Sequence, residues 1–113
     1  MEILFNTTKM QKACNSERES VRQWGTEIAK KLRQRLAELT AADNLEVVSK
    51  LPPVRCHQLY GNRAGQFAVA LKHPFRLIFV PGNDPLPLKP DGGFDLAGIT
   101  KICILEVIDY HGD

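Results

Sequence analysis

The chain has 113 residues, 43% of them apolar and 25% charged. That is the make-up of one soluble globular domain, 1–113, able to bury a two-layer core. Its net charge of +2 is too small to name a partner. Cys14, Cys56 and Cys103 are odd in number and carry no C-x-x-C spacing, which argues against a disulfide framework and a structural zinc site.

With that cysteine usage a reducing cytoplasm is the expected compartment, and the apolar run at Ile3–Phe5 is too short for a signal peptide or a membrane span. Glu2 to Phe5 reads as a first strand and Lys9 to Cys14 as a helical turn. Ser16-Glu17-Arg18-Glu19 matches a capping box, predicting a helix to about Trp24 that Gly25 closes in a left-handed conformation. Thr26 then caps a second helix to Leu39. Ile28, Leu32, Leu36 and Leu39 recur at three and four residues and mark its buried stripe, which Trp24 extends backward. Lys30, Lys31, Arg33, Gln34 and Glu38 form its other face, read as solvated or, more sharply, as a surface for phosphate. A third helix is expected from Thr40, capped with Asp43, to Ser49, before Pro52-Pro53 breaks the chain.

A strand meander follows: Val54 to Tyr60, a turn over Gly61–Gly65, Gln66 to Lys72, a tight turn at His73-Pro74, and Phe75 to Val80. Phe67, Val69 and Leu71 point one way. Ala68 and Ala70 point the other, leaving room for something to approach the sheet. In the next strand Arg76, Ile78 and Val80 oppose Leu77 and Phe79. No Asp or Glu lies between Glu46 and Asp84, while Lys50, Arg55, Arg63, Lys72, Arg76, His57 and His73 do, so the meander invites an anionic partner. The connection from Pro81 to Gly98 holds four prolines and four glycines in eighteen residues and reads as a functional or mobile loop. Lys101 to Tyr110 is the last strand. Ile102, Ile104 and Ile108 alternate with Cys103, Leu105 and Val107, and two apolar faces predict a central position.

No metal-ligand spacing, phosphate loop, dinucleotide fingerprint or Gly-x-Ser-x-Gly elbow occurs. What remains is a set of His and Arg residues. Phosphodiester cleavage without a metal needs a proton donor and acceptor near neutral pH, the usual task of His. It also needs fixed positive charge where the phosphorane gains charge, the usual task of Arg. His57, His111, Arg63 and Arg76 offer both. Ordinary roles compete: a lone His at a strand end is commonly structural, Arg76 can pair with Glu106 on a neighbouring strand, and Tyr60 and Tyr110 can be edge aromatics. Periodicity alone supports a small domain of helices and strands with a basic sheet face suited to RNA.

The segments His57-Gln58-Leu59-Tyr60-Gly61, Asn62-Arg63, Phe67, Phe75-Arg76-Leu77-Ile78-Phe79 and Asp109-Tyr110-His111, in that order, resemble the RelE/ParE superfamily of bacterial toxins. Within it the chain looks most like the HigB-type killer toxins. The resemblance spans nearly the whole chain. It implies an α+β fold: a mixed or antiparallel sheet of four to five strands, with two or three N-terminal helices packed on one face. It further implies a ribosome-dependent endoribonuclease that needs no cofactor and no metal, with 2′-hydroxyl attack giving a cyclic phosphate. By motif, His57 and His111 are the acid/base residues, Asp109 and Tyr110 orient His111 or the nucleotide, and Arg76 and Arg63 contact phosphate. Lys72 and His73 are weaker backbone contacts. The implied partners are a HigA-like helix-turn-helix antitoxin, the ribosome and mRNA, with operator DNA reached only through the antitoxin and no membrane.

Two features depart from the family pattern. Tyr60 stands where a Lys is frequent, and the 81–98 loop is longer than a minimal toxin needs. Two other functions fit the same residues: a ParE-like inhibitor of DNA gyrase, which has no need of Asp109-Tyr110-His111, and a non-catalytic module that binds RNA or its antitoxin as co-repressor.

Overall fold

The computed structural model describes residues 1–110. Its elements run β1 (Glu2–Phe5), α1 (Thr8–Asn15), α2 (Glu17–Ala41), α3 (Leu45–Ser49), β2 (His57–Gln58), β3 (Phe67–Ala70), β4 (Phe75–Pro81) and β5 (Lys101–Asp109), with 3-10 turns at Pro52–Val54, Gly61–Arg63 and Leu96–Gly98. The fold is α+β, as the resemblance implied. The five strands form one mixed sheet in the order β1-β5-β4-β3-β2, with β1 parallel to β5 and the other pairs antiparallel.

The helices begin where capping side chains meet free backbone donors. Thr7 accepts from the Met10 N–H, Ser16 from Glu19 and Asn44 from Val47. Only half of the expected capping box forms. Ser16 N–H donates to the Lys12 carbonyl at the end of α1, and the Glu19 carboxylate accepts from Arg22 at 2.7 Å instead. Gly25, at φ +84°, breaks α2 as predicted, and the chain returns to helix at once. The expected third helix from Thr40 is corrected. Helix α2 runs on to Ala41, Thr40 Oγ1 donates back to the Leu36 carbonyl, and α3 starts only at Leu45 behind Asn44. Ile28, Leu32 and Leu39 are buried on the sheet, packing with Leu77, Phe79, Ile102 and Ile104.

The strand expected over Val54–Tyr60 shrinks to two residues. Pro52 and Pro53 carry no N–H to donate, and Arg55 at φ +52° turns the chain, so pairing starts only at His57. Strand β5 holds the predicted interior position, but its alternation is not strict. The register against β4 shifts between Ile78 and Phe79: Ile78 faces Glu106, Phe79 faces Ile104, and Leu105 has no partner. Beyond this bulge Val107 packs with the helical core, while Leu105 and Ile108 pack on the opposite face. Ile108 therefore does not share a face with Ile102 and Ile104.

The 81–98 connection is tied down at several points. Asn83 Oδ1 accepts from the Thr100 and Lys101 N–H groups, and Asn83 Nδ2 donates to Thr100 Oγ1. Leu88 and Phe94 form a bridge, and the Phe94 ring lies 5.4 Å from that of Phe67. Among the described residues no helix is long and apolar enough to cross a membrane.

Candidate functional site

The register defines the sheet face that the helices leave uncovered. His57, Ala68, Ile78 and Glu106 lie in one row across four strands, and Ala70, Arg76 and Ile108 form the next. Leu59, Leu105, Ile108 and Tyr110 pack over Ala68 and Ile78, leaving Ala68 without solvent exposure. The expected open approach at Ala68 is thus closed. At Ala70, one row on, the space is real: a cavity of about 140 Å³ lies there, lined by Arg35, Pro53, Arg55, Ala70, Leu71, His73, Pro74, Phe75 and Arg76.

Arg76 sits between Ala70 and Ile108, and the small Ala70 leaves its guanidinium room. The guanidinium lies over the Tyr110 ring at 5.9 Å, within cation–π range. Tyr110 is held there by its own N–H, which donates to the Pro74 carbonyl at 3.0 Å, one residue past the Phe75–Asp109 pair. The fold thus brings Arg76 and Tyr110 together from segments 34 positions apart, with Asp109 on the adjoining residue. Arg76 Nη1 is buried and has no hydrogen-bond partner among the described residues. His111 lies outside the described residues.

The other sequence candidates are dispersed. His57 is exposed at the sheet edge, its Nδ1 3.0 Å from the Arg55 carbonyl oxygen. It lines a different cavity, about 250 Å³, floored by Phe67 and Phe94 beneath the 81–98 loop. His57 and Arg76 stand two strands and two residues apart, on the order of 12 Å between backbones for ordinary strand spacing and rise. Arg63 donates to Glu106 at 3.0 Å and to Gln66 at 2.9 Å, so Glu106 pairs with Arg63 and not with Arg76. Lys72 reaches Glu27 of the helical layer at 3.0 Å. His73 is exposed in the β3–β4 turn and shares the Arg76 cavity. Tyr60, the departure from the family pattern, is 75% exposed at the start of its turn.

No protein-family model matches the sequence, and no curated protein matches it. The chain is similar in fold to a YoeB/ParE toxin from Agrobacterium tumefaciens. That likeness covers 98% of this chain and 100% of the toxin, at a TM-score of 0.53 and 8% sequence identity. The fold is therefore RelE/ParE-like, and the identity is too low to carry residue roles across.

Three residues of this region have roles that sequence reasoning missed. Arg35 is 3% exposed although it sits in the charged run of α2. Its Nε donates to the Ala70 carbonyl at 2.7 Å, Nη2 to the Pro53 carbonyl at 2.8 Å and Nη1 to Glu38 at 2.8 Å. The signal was its place three residues after Leu32, on the edge of the apolar stripe. Glu106 was weighed only as a partner of Arg76, because the bulge that aims it cannot be read from alternation. Arg55 was counted among the cations of the meander, but nothing marked it as the turn into β2. Among the described residues no group of three His, Cys, Asp or Glu side chains is gathered for a metal ion.

Proposed function

We propose that this protein is the toxin of a toxin–antitoxin pair and that it cuts messenger RNA on the ribosome. The observation that carries this reading is Arg76: a guanidinium on the uncovered sheet face, over the Tyr110 ring, with a buried nitrogen that has no partner among the described residues, on a RelE/ParE-like fold. A phosphorane gains negative charge as the ribose 2′-oxygen bonds to phosphorus, and a fixed cation there lowers the barrier without reorganising. Arg76 is the residue for that task. A general base takes the 2′-hydroxyl proton, a general acid gives a proton to the departing 5′-oxygen, and the products are a 2′,3′-cyclic phosphate and a 5′-hydroxyl end. His111 and His57 are the acid/base pair in this reading, with Asp109 and Tyr110 orienting the reactive end of β5.

Arg63, Lys72 and His73 bind the strand's phosphates alongside. Arg63 must leave Glu106 to do so, and a half-exposed pair of this kind holds it by only about 1 kcal/mol. A HigA-like helix-turn-helix antitoxin would neutralise the toxin in the cytoplasm and carry it to operator DNA. Inducing the protein in growing cells and mapping transcript ends by primer extension tests the proposal. Discrete cuts and growth arrest are expected, and Arg76→Ala and His111→Ala should relieve both while remaining folded.

A second reading is favoured by the separation of His57 and Arg76, with strand β3 between them: a gyrase inhibitor, for which no acid/base pair need converge. It predicts a DNA-damage response with uncut transcripts in the same experiment.

A further inference from the structure

The fold redistributes the charge of the acid-free stretch between Glu46 and Asp84. Lys50 pairs with Glu46, Arg63 with Glu106 and Lys72 with Glu27. Two arginines of that stretch, Arg55 and Arg76, form no ion pair with a carboxylate among the described residues, and both line the cavity at Ala70. Arg76, whose Nη1 is buried without a hydrogen-bond partner among the described residues, thus shares the cavity with Arg55. Two guanidinium groups beside one cavity with no carboxylate between them repel each other, and an anion supplied from outside is the simplest counter-charge.

We propose that this cavity binds one phosphate group of a nucleic-acid strand, gripped by Arg55 and His73 together with Arg76. This deepens the RNA-cleaving reading and rests on it for the source of the phosphate. Arg35 forms the back wall. Its donors are taken by the Ala70 and Pro53 carbonyls and by Glu38, so it braces the site without itself gripping the anion. Among the described residues that line the cavity there is no carboxylate. A space of about 140 Å³ equals the share of about five water molecules, which suits a tetrahedral oxyanion with a little water. Arg55 reaches it because its backbone is turned to φ +52°, a conformation rare outside glycine and concentrated at functional sites. Ala70 is the gate, as any larger side chain there enters the cavity.

The test titrates inorganic phosphate into the full-length protein and follows the arginine Nε–H signals by NMR. Arg55 and Arg76 signals should move together and saturate at one affinity. Arg55→Ala should weaken phosphate by at least about tenfold, the loss of a charge-assisted hydrogen bond. Ala70→Leu, which removes no cationic residue but fills the cavity, should abolish binding in a protein that still shows native strand dispersion. Arg76 signals that ignore phosphate, or an Ala70→Leu protein that binds it normally, would overturn the site. Competition by a hydroxyl-ended oligoribonucleotide supports a backbone phosphodiester as ligand. Competition only by a phosphate-ended one supports a terminal phosphate, and competition by neither overturns a nucleic-acid source. Phosphate binding that persists in a protein unable to cut RNA would separate failure of the enzymatic reading from failure of the site.

Discussion

Arg35 shows how a single side chain can set the geometry around a candidate site. Strand β2 is too short to cover β3 beyond Phe67 and Ala68, so the Ala70 carbonyl lies at an open edge, and Arg35 takes it. The same guanidinium fixes Pro53 just before the Arg55 turn. Arg35→Ala strands two carbonyls and should cost about 3 kcal/mol of unfolding free energy, read from urea midpoints. Arg35→Lys should recover less than half of it, because one ammonium cannot span the Nε and Nη2 positions together.

Cysteine chemistry at this scale is a matter of burial. Desolvation pushes the Cys56 thiol from an ordinary 9.0 up to about 12 and Cys14 up to about 11, and raises Cys103 as well. These thiols stay protonated at neutral pH, which makes Cys14 and Cys56 poor nucleophiles. The sign for stability follows: the unfolded thiol releases its proton near 9.0 and the folded Cys56 only near 12. The stabilisation is therefore complete below pH 9 and declines as pH rises toward 12. Urea midpoints at about pH 8 and about pH 10.5 should fall further apart in the native protein than in Cys56→Ala. Equal falls in both would remove Cys56 as the source.

At the scale of elements, the 81–98 connection behaves differently from its composition. Four prolines and four glycines suggested a functional or mobile loop, and the second alternative is the one its contacts disfavour. Asn83 staples its ends and Phe94 seats it against Phe67, itself in contact with Phe79 at 5.8 Å. Phe94→Ala should destabilise the protein by about 3 kcal/mol and open this segment to limited proteolysis before the rest unfolds. Unchanged cleavage would mean that Asn83 alone holds it.

The difference between expectation and fold has one physical form throughout. Local signals, such as the Ser16 cap, the Gly25 break, the Ile28–Leu39 stripe and the doubly apolar β5, were legible because the cause lies within a few residues of the effect. The pairings that set the site were not. The bulge opposite Ile78–Phe79 decides that Glu106 and Ile108 share a face with Arg76, and it arises from matching two strands across the sheet. The extent of β2 was overread for a similar reason, since the turn at Arg55 shows no preference in sequence.

At the scale of the whole molecule, the charge pattern changes meaning once folded. A run of cations with no acid between Glu46 and Asp84 looked like a basic surface. In three dimensions Glu27, Glu46 and Glu106 neutralise Lys72, Lys50 and Arg63, and arginine charge from that run with no carboxylate partner among the described residues gathers at the Ala70 cavity next to Tyr110. A concentrated pair of cations suits a small number of phosphate contacts on a strand already positioned by a larger partner, and it gives little grip on free RNA. Binding to a free oligoribonucleotide should accordingly be weak and show a shallow salt slope, on the order of two phosphate contacts. A slope as steep as that of a protein with many phosphate contacts would point to a broad basic face.

In the proposed reaction Arg76 stabilises the transition state of RNA cleavage on the ribosome. The most direct measurement incubates the purified protein with ribosomes carrying a defined mRNA and reads the cut ends. The account predicts a 2′,3′-cyclic phosphate and a 5′-hydroxyl end, with cleavage slowed by about a hundredfold or more in a folded Arg76→Ala variant. Intact mRNA with the native protein, or equal cleavage by the variant, would contradict it.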